Sequence, residues 1–540
     1  MTPRGTGLAF RPEDGSPESR TEGFGRIVGT EVEYGISLES GEMGEAQIEL
    51  SHELVNKLPS GFSSGALWDY EDEDPFVDAR GFLVEGERER PDRRENRWTN
   101  RPLYNGGRLY VDGAHPEYSG PECMNLRDVV RFEKAGDRLV EECLKAWESD
   151  DPKKRSLRIF RNNSDGWGNS WGYHENYLLS RELPFDRIIQ GLTAHLVSRT
   201  VFCGSGKVGS DLGEDRGLGA EIPYQISQRS EFFEIAVGLS TTARRGIINT
   251  RDEPHASRGI YRRLHVISGD SNLSEISTAL KVGTTLLVLW VMEESHKEGS
   301  DLSFPVLADP VSAFHQVSRD LTFRKPLPMA DGSTTTVLDL AGAYLSTVRS
   351  WFERAGMNSE VRDLLDRWEG VLVRLGRYPD TSSGLEREVD WAIKRSMIWK
   401  YREARGLSGS DSRLRMLDLQ YHDVRTSRGL FHLLDAGGQV DRFLDPMEID
   451  DARLNPPSDT RAFFRGTLQR RFPKEVVAAS WSSVVVDDGG TALKRIPLAD
   501  PFRGTQKTVG AMLDRSETVQ KLLDELRSKG GSSEKSEGVK

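Results

Sequence analysis

Apolar and polar positions alternate from Arg26 to Ser37, with Val28, Val32, Tyr34 and Ile36 set against Glu31 and Glu33. That spacing predicts a strand with both carboxylates on one face. A second strand is predicted at Arg108–Asp112, ending at Gly113. Asn125–Glu148 carries helical spacing, Leu157–Phe160 and Glu175–Leu179 read as short strands, and Phe185–Thr200 reads as a helix. Residues 205–222 form a Gly-rich loop, and residues 225–292 mix strands with a helix. From Val337 to about Leu434 the pattern is helical: Val361, Leu364, Leu365, Trp368, Leu372 and Leu375 make the stripe of a packed helix. Short strands return at Ser482–Val486 and Leu493–Ile496, and Val509–Arg527 reads as one last helix.

Between these lies a weakly periodic stretch, residues 38–104. It holds the acidic run Trp68–Asp74 and a segment, Glu85–Arg97, in which ten of thirteen positions are charged. A loop of that length is either functional or disordered, and a solvated surface is the plain alternative for the charged run. Residues 1–24 read as a flexible leader without the apolar core of a signal peptide. Lys529–Lys540 reads as a polar tail.

The chain has 540 residues, of which 36% are hydrophobic and 29% charged. The length suits three or four domains, or one large domain with an appendage. Lys and Arg number 73 against 85 Asp and Glu, a net charge of −12, which argues against nucleic acid as the main partner. Cys123, Cys143 and Cys203 cannot build a disulfide framework, so a reducing, cytoplasmic compartment is expected. The longest mostly apolar run, Val282–Met292, is too short for a bilayer span of about 20 residues and reads as a buried element.

Candidate chemistry collects at strand ends. Glu31 and Glu33 side by side repel unless a cation such as Mg²⁺ sits between them; a solvated strand face is the alternative. Arg108, Tyr110 and Asp112 share a face, with Glu117 following on the loop. Such a set can hold phosphate, ligate a metal and supply a base or nucleophile, and a structural Arg–Asp pair is its plain alternative. Asn162–Asn176 is rich in Gly and small polar residues that let backbone approach a ligand. Ser205–Gly209 lacks the order of a P-loop. Arg229, Arg251, Arg262 and Arg263 form a basic cluster able to cradle phosphates or an acidic polypeptide. With no Walker-type motif, the combination suggests an ATP–Mg²⁺ site built on an open sheet face.

Several segments in order, G-T-E-V-E-Y-G (29–35), N-G-G-R-L-Y-V-D-G-A-H-P-E-Y (105–118), H-E-N-Y (174–177), S-Q-R-S (227–230), I-I-N-T-R-D-E-P-H-A (247–256), Y-R-R-L-H-V-I-S-G-D-S-N (261–272) and N-P-P-S-D-T-R-A (455–462), resemble the Pup ligase/depupylase family. The resemblance runs from Gly25 to about Arg527. It implies an α+β, glutamine-synthetase-like large domain, a mostly antiparallel curved sheet with packed helices, over residues 25–450. A small C-terminal domain over 451–527 would follow. The family's two branches join the modifier Pup to lysines, or deamidate the C-terminal Gln of Pup and cleave Pup from proteins. G-T-E-V-E-Y-G, where the ligase typically shows G-I-E-T-E-F-G, the long 38–104 segment and W-D-Y-E-D-E-D-P-F-V-D-A-R-G-F (68–82) resemble the deamidase branch.

The resemblance further implies Asp112 as the catalytic residue, and Glu31, Tyr110 and Glu117 as Mg²⁺ ligands around ATP. Arg108 and Trp481 would contact the nucleotide, with Gly120 and Arg229 also on that side. Glu33, His174, Arg229, Arg251 and His265 become further candidates for metal, phosphate or Pup carboxylate. Direct attack by Asp112, water activation and a phosphate nucleophile all remain open. Pup and pupylated proteins are the implied partners of a monomer, without nucleic acid or membrane. A Pup ligase and a non-catalytic Pup-binding adaptor are the alternatives. One departure is the run Ser257–Arg258–Gly259–Ile260, where the family usually carries acidic residues.

Overall fold

The computed structural model describes residues 24–38, 46–82, 91–150, 157–211, 224–300, 302–379, 384–409 and 411–531. The alternating opening segment forms two strands, β1 (Val28–Glu33) and β2 (Gly35–Leu38). Next come β3 (Leu67–Trp68), β4 (Asn100–Pro102), β5 (Arg108–Asp112), β6 (His115–Ser119), β7 (Leu157–Phe160) and β8 (Tyr173–Ser180). β9 (Phe233–Gly238), β10 (Arg245–Asn249) and β11 (Tyr261–Val266) follow, then the short pair β12 (Leu327–Pro328) and β13 (Thr334–Thr335). β14 (Val476–Ala479), β15 (Ser483–Val486) and β16 (Lys494–Pro497) close the series.

The central sheet has six strands in the order β11-β8-β1-β6-β5-β4, every neighbouring pair antiparallel. β2 leaves that sheet after the single residue Tyr34 and pairs with β7 instead. Val32, Leu109, Val111, Tyr118 and Tyr173 are buried on one sheet face, in a core shared with residues of the Leu126–Asp150 helix. Gly136 allows that helix to lie against the sheet, because a Cβ there would stand 2.2 Å from the Tyr118 ring. Behind it a larger core gathers the helices Phe185–Ser198, Glu275–Lys297, Val337–Ala355 and Ser359–Leu375. This is the α+β arrangement expected from the sequence. Glu275–Lys297 resolves the apolar run as a core helix, 89% buried over its most apolar window.

Charges are buried in the core as satisfied pairs. Arg199 grips Glu175 through two nitrogens at 2.6 and 2.7 Å, and Arg161 meets Glu133 and Asp137. Such pairs add little net stability, but removing one partner strands the other. They fix β8 from behind, and β8 carries site residues on its front.

A separate core unites Ala66 with residues from Phe464 to Leu526, around the sheet β16-β15-β14-β3. It docks on the rest through Glu122, whose carboxylate accepts from Arg461 Nε at 2.6 Å and from Arg465 NH2 at 2.5 Å.

Three expectations change. Residues 38–104 contain a helix, Ala46–Asn56, a second helix, Arg93–Thr99, and the strands β3 and β4. The first helix hides from periodicity because Ile48 faces solvent while Leu54 and Val55 are buried. The second is an N-capped turn, with Asp92 accepting from the backbone of Arg94 and Glu95. The last helix is two, Gln506–Arg515 and Val519–Gly531. The break falls at Ser516, whose hydroxyl turns back onto the Met512 carbonyl. Within the leader, Phe24 is buried and packs edge-on against Trp290. The remainder of the leader, residues 212–222 of the Gly-rich loop, residues 85–90 and residues 532–540 of the tail lie outside the described residues.

Candidate active site

The front of the central sheet bears ionisable side chains because every strand alternates and the registers align. Glu33 stands opposite Glu117, Tyr110 opposite Glu117, Glu31 opposite His174 and His265 opposite Asn176. Neighbours on one face of an antiparallel sheet approach within contact distance. Together they floor a cleft of about 1020 Å³, whose walls include Tyr70, Glu73, Arg229, Arg245, Arg251 and Trp171.

The charges sort into two groups. In the first, carboxylate oxygens of Glu33, Asp112 and Glu117 all lie within 4.8 Å of one another. In the second, Glu31, His174 and His265 do the same. His174 joins them, with Nδ1 3.0 Å from Glu31 Oε2 and Nε2 3.8 Å from Glu33 Oε1. Asn176 Nδ2 donates to Glu31 Oε1 at 3.2 Å. Glu31 acts on both Glu117 and Tyr110, and Tyr110 lies beside Glu117.

Burial acts differently on each acid. Burial alone would raise Glu31, but the His174 hydrogen bond and charge, with Arg263 and Arg251, carry it down to about 2. Glu117 is pushed well above the usual carboxylate range, by burial and then by Asp112, Glu31 and Glu33. Neither of its oxygens has a hydrogen-bond partner of regular geometry. Asp112 sits at the end of β5, where its side chain meets solvent in the cleft yet is enclosed by protein. Burial and Glu33 raise it; His174, Arg251 and Arg108 oppose them. Burial pushes His265 well below its ordinary value, with Arg263 and His174 adding to the effect, and neither ring nitrogen finds a hydrogen bond.

A buried carboxylate without a regular partner beside two more suits a hard divalent cation, so the Glu33–Asp112–Glu117 group fits Mg²⁺. His174 and His265 put softer nitrogen donors beside Glu31.

Arg108 also lines the cleft. Its guanidinium lies 4.2 Å from the centre of the Trp68 ring and 3.8 Å from that of Tyr110. Nε donates to Asn100 Oδ1 at 2.8 Å and NH2 to the Tyr70 hydroxyl at 3.1 Å. Trp481 meets Trp68 edge-on at 5.2 Å and stands outside the cleft lining, as does Gly120, whose N–H donates to Thr30 O at 2.9 Å. Arg229 is fully buried at the cleft wall, donates to the Ile267 carbonyl and leaves Nε unpartnered; burial, with Arg245 nearby, takes it down to about 10. Arg251 Nε is likewise unpartnered.

The description Pup-ligase protein fits residues 26–485 of the chain. The chain belongs to that family. It is 44% identical over 507 residues to the Pup deamidase/depupylase of Mycobacterium tuberculosis, covering 93% of this chain and 99% of that relative. Its fold is similar to that of the ligase PafA in the crystal structure of its complex with Pup, with a TM-score of 0.75, 31% identity, and coverage of 93% and 94% of the two chains. PafA in complex with ADP gives a TM-score of 0.68 at 33% identity, over 80% of this chain and 96% of that one.

Within this family frame, sequence reasoning missed Tyr70, Glu73 and Asn100, which all lie in the stretch taken for a loop. The aromatic and amide content of Trp68–Tyr70, at the end of β3, and of Asn100, opening β4, is the available signal. Lys207, singled out with the Gly-rich loop, is bound to Asp211 at 2.7 Å and to Glu231, outside the cleft lining but in that of a smaller pocket beside it.

Proposed function

We propose that the chain is an ATP- and Mg²⁺-dependent amidohydrolase of the cytoplasm. It deamidates the C-terminal Gln of Pup to Glu and cleaves the isopeptide bond between Pup and a target lysine. The observation that carries the reading is the place of Asp112: open to the cleft, beside Glu33 and Glu117, in a chain 44% identical to a Pup deamidase/depupylase over 93% of its length but 34% identical to a Pup–protein ligase over 91%.

Glu33 and Glu117 would hold one Mg²⁺ with Tyr110 beside them, and Glu31, His174 and His265 a second position. Arg108, packed between Trp68 and Tyr110, would hold nucleotide phosphate, and Trp481 supports it through Trp68. Bound Mg²⁺ would supply positive charge for the amide oxygen as it becomes an oxyanion. Asp112 acts at the amide carbonyl, by attacking it or by taking a proton from water. Arg229 and Arg245 line the same wall and suit the carboxylate of the substrate's C-terminal residue. Arg251 adds positive charge near Asp112.

The test mixes the protein, Mg-ATP and a Pup–protein conjugate, beside Asp112→Asn. Free target protein resolved on a gel, lost in the variant, is the expected result, with Pup ending in Gln converted to the acid in a parallel assay. New conjugates formed from free Pup and protein would make it a ligase. Pup bound with no turnover would make it an adaptor.

A further inference from the structure

Beside the cleft lies a second pocket of about 250 Å³ that shares Asn162, Ser164, Asp165 and Leu419 with it. One wall is Trp167, whose side chain is 82% exposed, more than any other large apolar residue described. Facing it across the pocket, Met416 and Leu419 come from the Ser412–Tyr421 helix, and Met416 is also largely exposed.

Trp167 is held outward by the geometry of its turn. Gly166 and Gly168 on either side take φ of +79° and +103°, backbone that L side chains rarely adopt. Asp165 Oδ1 accepts from the N–H of Trp167 at 2.7 Å and of Asn169 at 3.1 Å, and Oδ2 accepts from Asn169 Nδ2 at 2.6 Å. A tryptophan exposed on so specified a turn forgoes the burial its ring would gain in a core. The lining also holds Asp211 and Asp418, each already paired with a lysine, Lys207 at 2.7 Å and Lys394 at 2.5 Å.

Resting on the hydrolase reading above, we propose that this shelf receives the leaving side of the isopeptide: the alkyl chain of the target lysine and the residues flanking it. Deamidation and depupylation break the same kind of side-chain amide C–N bond and add water across it. They differ in the amine released, ammonia in one case and the Nζ of a protein lysine in the other. Only the second needs room beyond the scissile bond. The cleft around Arg108 is taken by the nucleotide reading, and the wall of Arg229 and Arg245 suits a carboxylate. The shelf of Trp167, Met416 and Leu419 is continuous with the cleft and apolar at its walls. An apolar shelf opening beside the cleft that holds Asp112 complements the alkyl stem of a lysine.

The discriminating variant is Trp167→Ala in the full chain with Mg-ATP. Its side chain is exposed, so the fold is not at stake. Two substrates are compared: Pup ending in Gln, and Pup joined through its C-terminal side chain to Nα-acetyl-lysine amide. The variant should keep kcat/KM for deamidation within about twofold and lose about tenfold on the lysine conjugate, the scale of one aromatic contact. Trp167→Phe should restore most of the loss. An equal fall on both substrates would place Trp167 on the Pup side and overturn the proposal. No change on either would show that nothing docks there, which overturns it too. If the unaltered chain hydrolyses neither substrate, the hydrolase reading fails, a result distinct from the other two because it appears before any substitution.

Discussion

Glu117 shows how one side chain trades stability for binding. Its carboxyl is buried and crowded by Asp112, Glu31 and Glu33, relieved in part by Tyr110. A carboxyl whose folded value is raised destabilises the fold at pH above its ordinary value. Glu117→Gln removes that penalty, so at neutral pH and without metal the variant should unfold at a higher temperature than the unaltered chain. It also removes an oxygen anion from the Glu33–Asp112–Glu117 group, so the stabilisation conferred by MgCl₂ should largely disappear. Thermal unfolding with and without Mg²⁺ reads both effects; an Mg²⁺ response of unchanged size in the variant would take Glu117 out of the metal site. Alternation alone was enough to place Glu31 with Glu33, and Arg108 with Tyr110 and Asp112, on common faces. It could not say that Glu33 would meet Glu117 while Glu31 met His174 and His265. That depends on the register of β1 against β6 on one side and β8 on the other, pairings between segments far apart in sequence.

Among the elements, the segment from Ala66 to Phe82 does the most to close the site, and it was the least legible. Its strand β3 has two residues and pairs with β14 of the C-terminal sheet, too short for any period to register. Beyond it, Trp68 Nε1 donates to Glu73 Oε1 at 2.5 Å, and Thr250 Oγ1 donates to Asp78 Oδ2 at 2.7 Å. The segment thus runs from the C-terminal sheet across the cleft rim to an isolated bridge between Asp78 and Arg251, just after β10, and Tyr70 and Glu73 line the cleft. Trp68 is its pivot, touching Trp481 on one side and the Arg108 guanidinium on the other. A desolvated cation–π contact contributes up to about 2 kcal/mol. Trp68→Ala should therefore weaken ADP binding by roughly tenfold, since ~1.4 kcal/mol is a factor of ten. Calorimetric titration of ADP measures it, and an unchanged Kd would separate this segment from the nucleotide site.

At the scale of the whole molecule, Glu122 couples the C-terminal core to the sheet that bears the site. Thr460 Oγ1 donates to the Glu122 carbonyl at 2.8 Å, while Arg465 also reaches the Gly106 carbonyl at 2.6 Å just before β5. Cys123, the next residue, exchanges backbone hydrogen bonds with Val28 of β1 at 2.8 and 2.9 Å. Burial would raise the Glu122 carboxyl, but Arg465 and Arg461 draw it from an ordinary 4.5 down to about 2. A folded value below the unfolded one means the pair stabilises the fold fully above the unfolded value and loses that contribution as pH falls toward the folded value. Each tenfold change in proton affinity between the two states is worth about 1.4 kcal/mol, so the contribution at neutral pH is on the order of 3 kcal/mol. Glu122→Gln leaves two guanidiniums buried without their anion, so the variant should be markedly less stable at pH 7. The gap from the unaltered chain should narrow steadily below about pH 4.5 as Glu122 protonates there too. Urea unfolding across that pH range tests the sign, and a gap that stays constant with pH would remove Glu122 as the titrating link. Because the same contact braces the turn into β5, where Arg108 begins, hydrolase activity in the variant should fall even at temperatures where the main sheet remains folded.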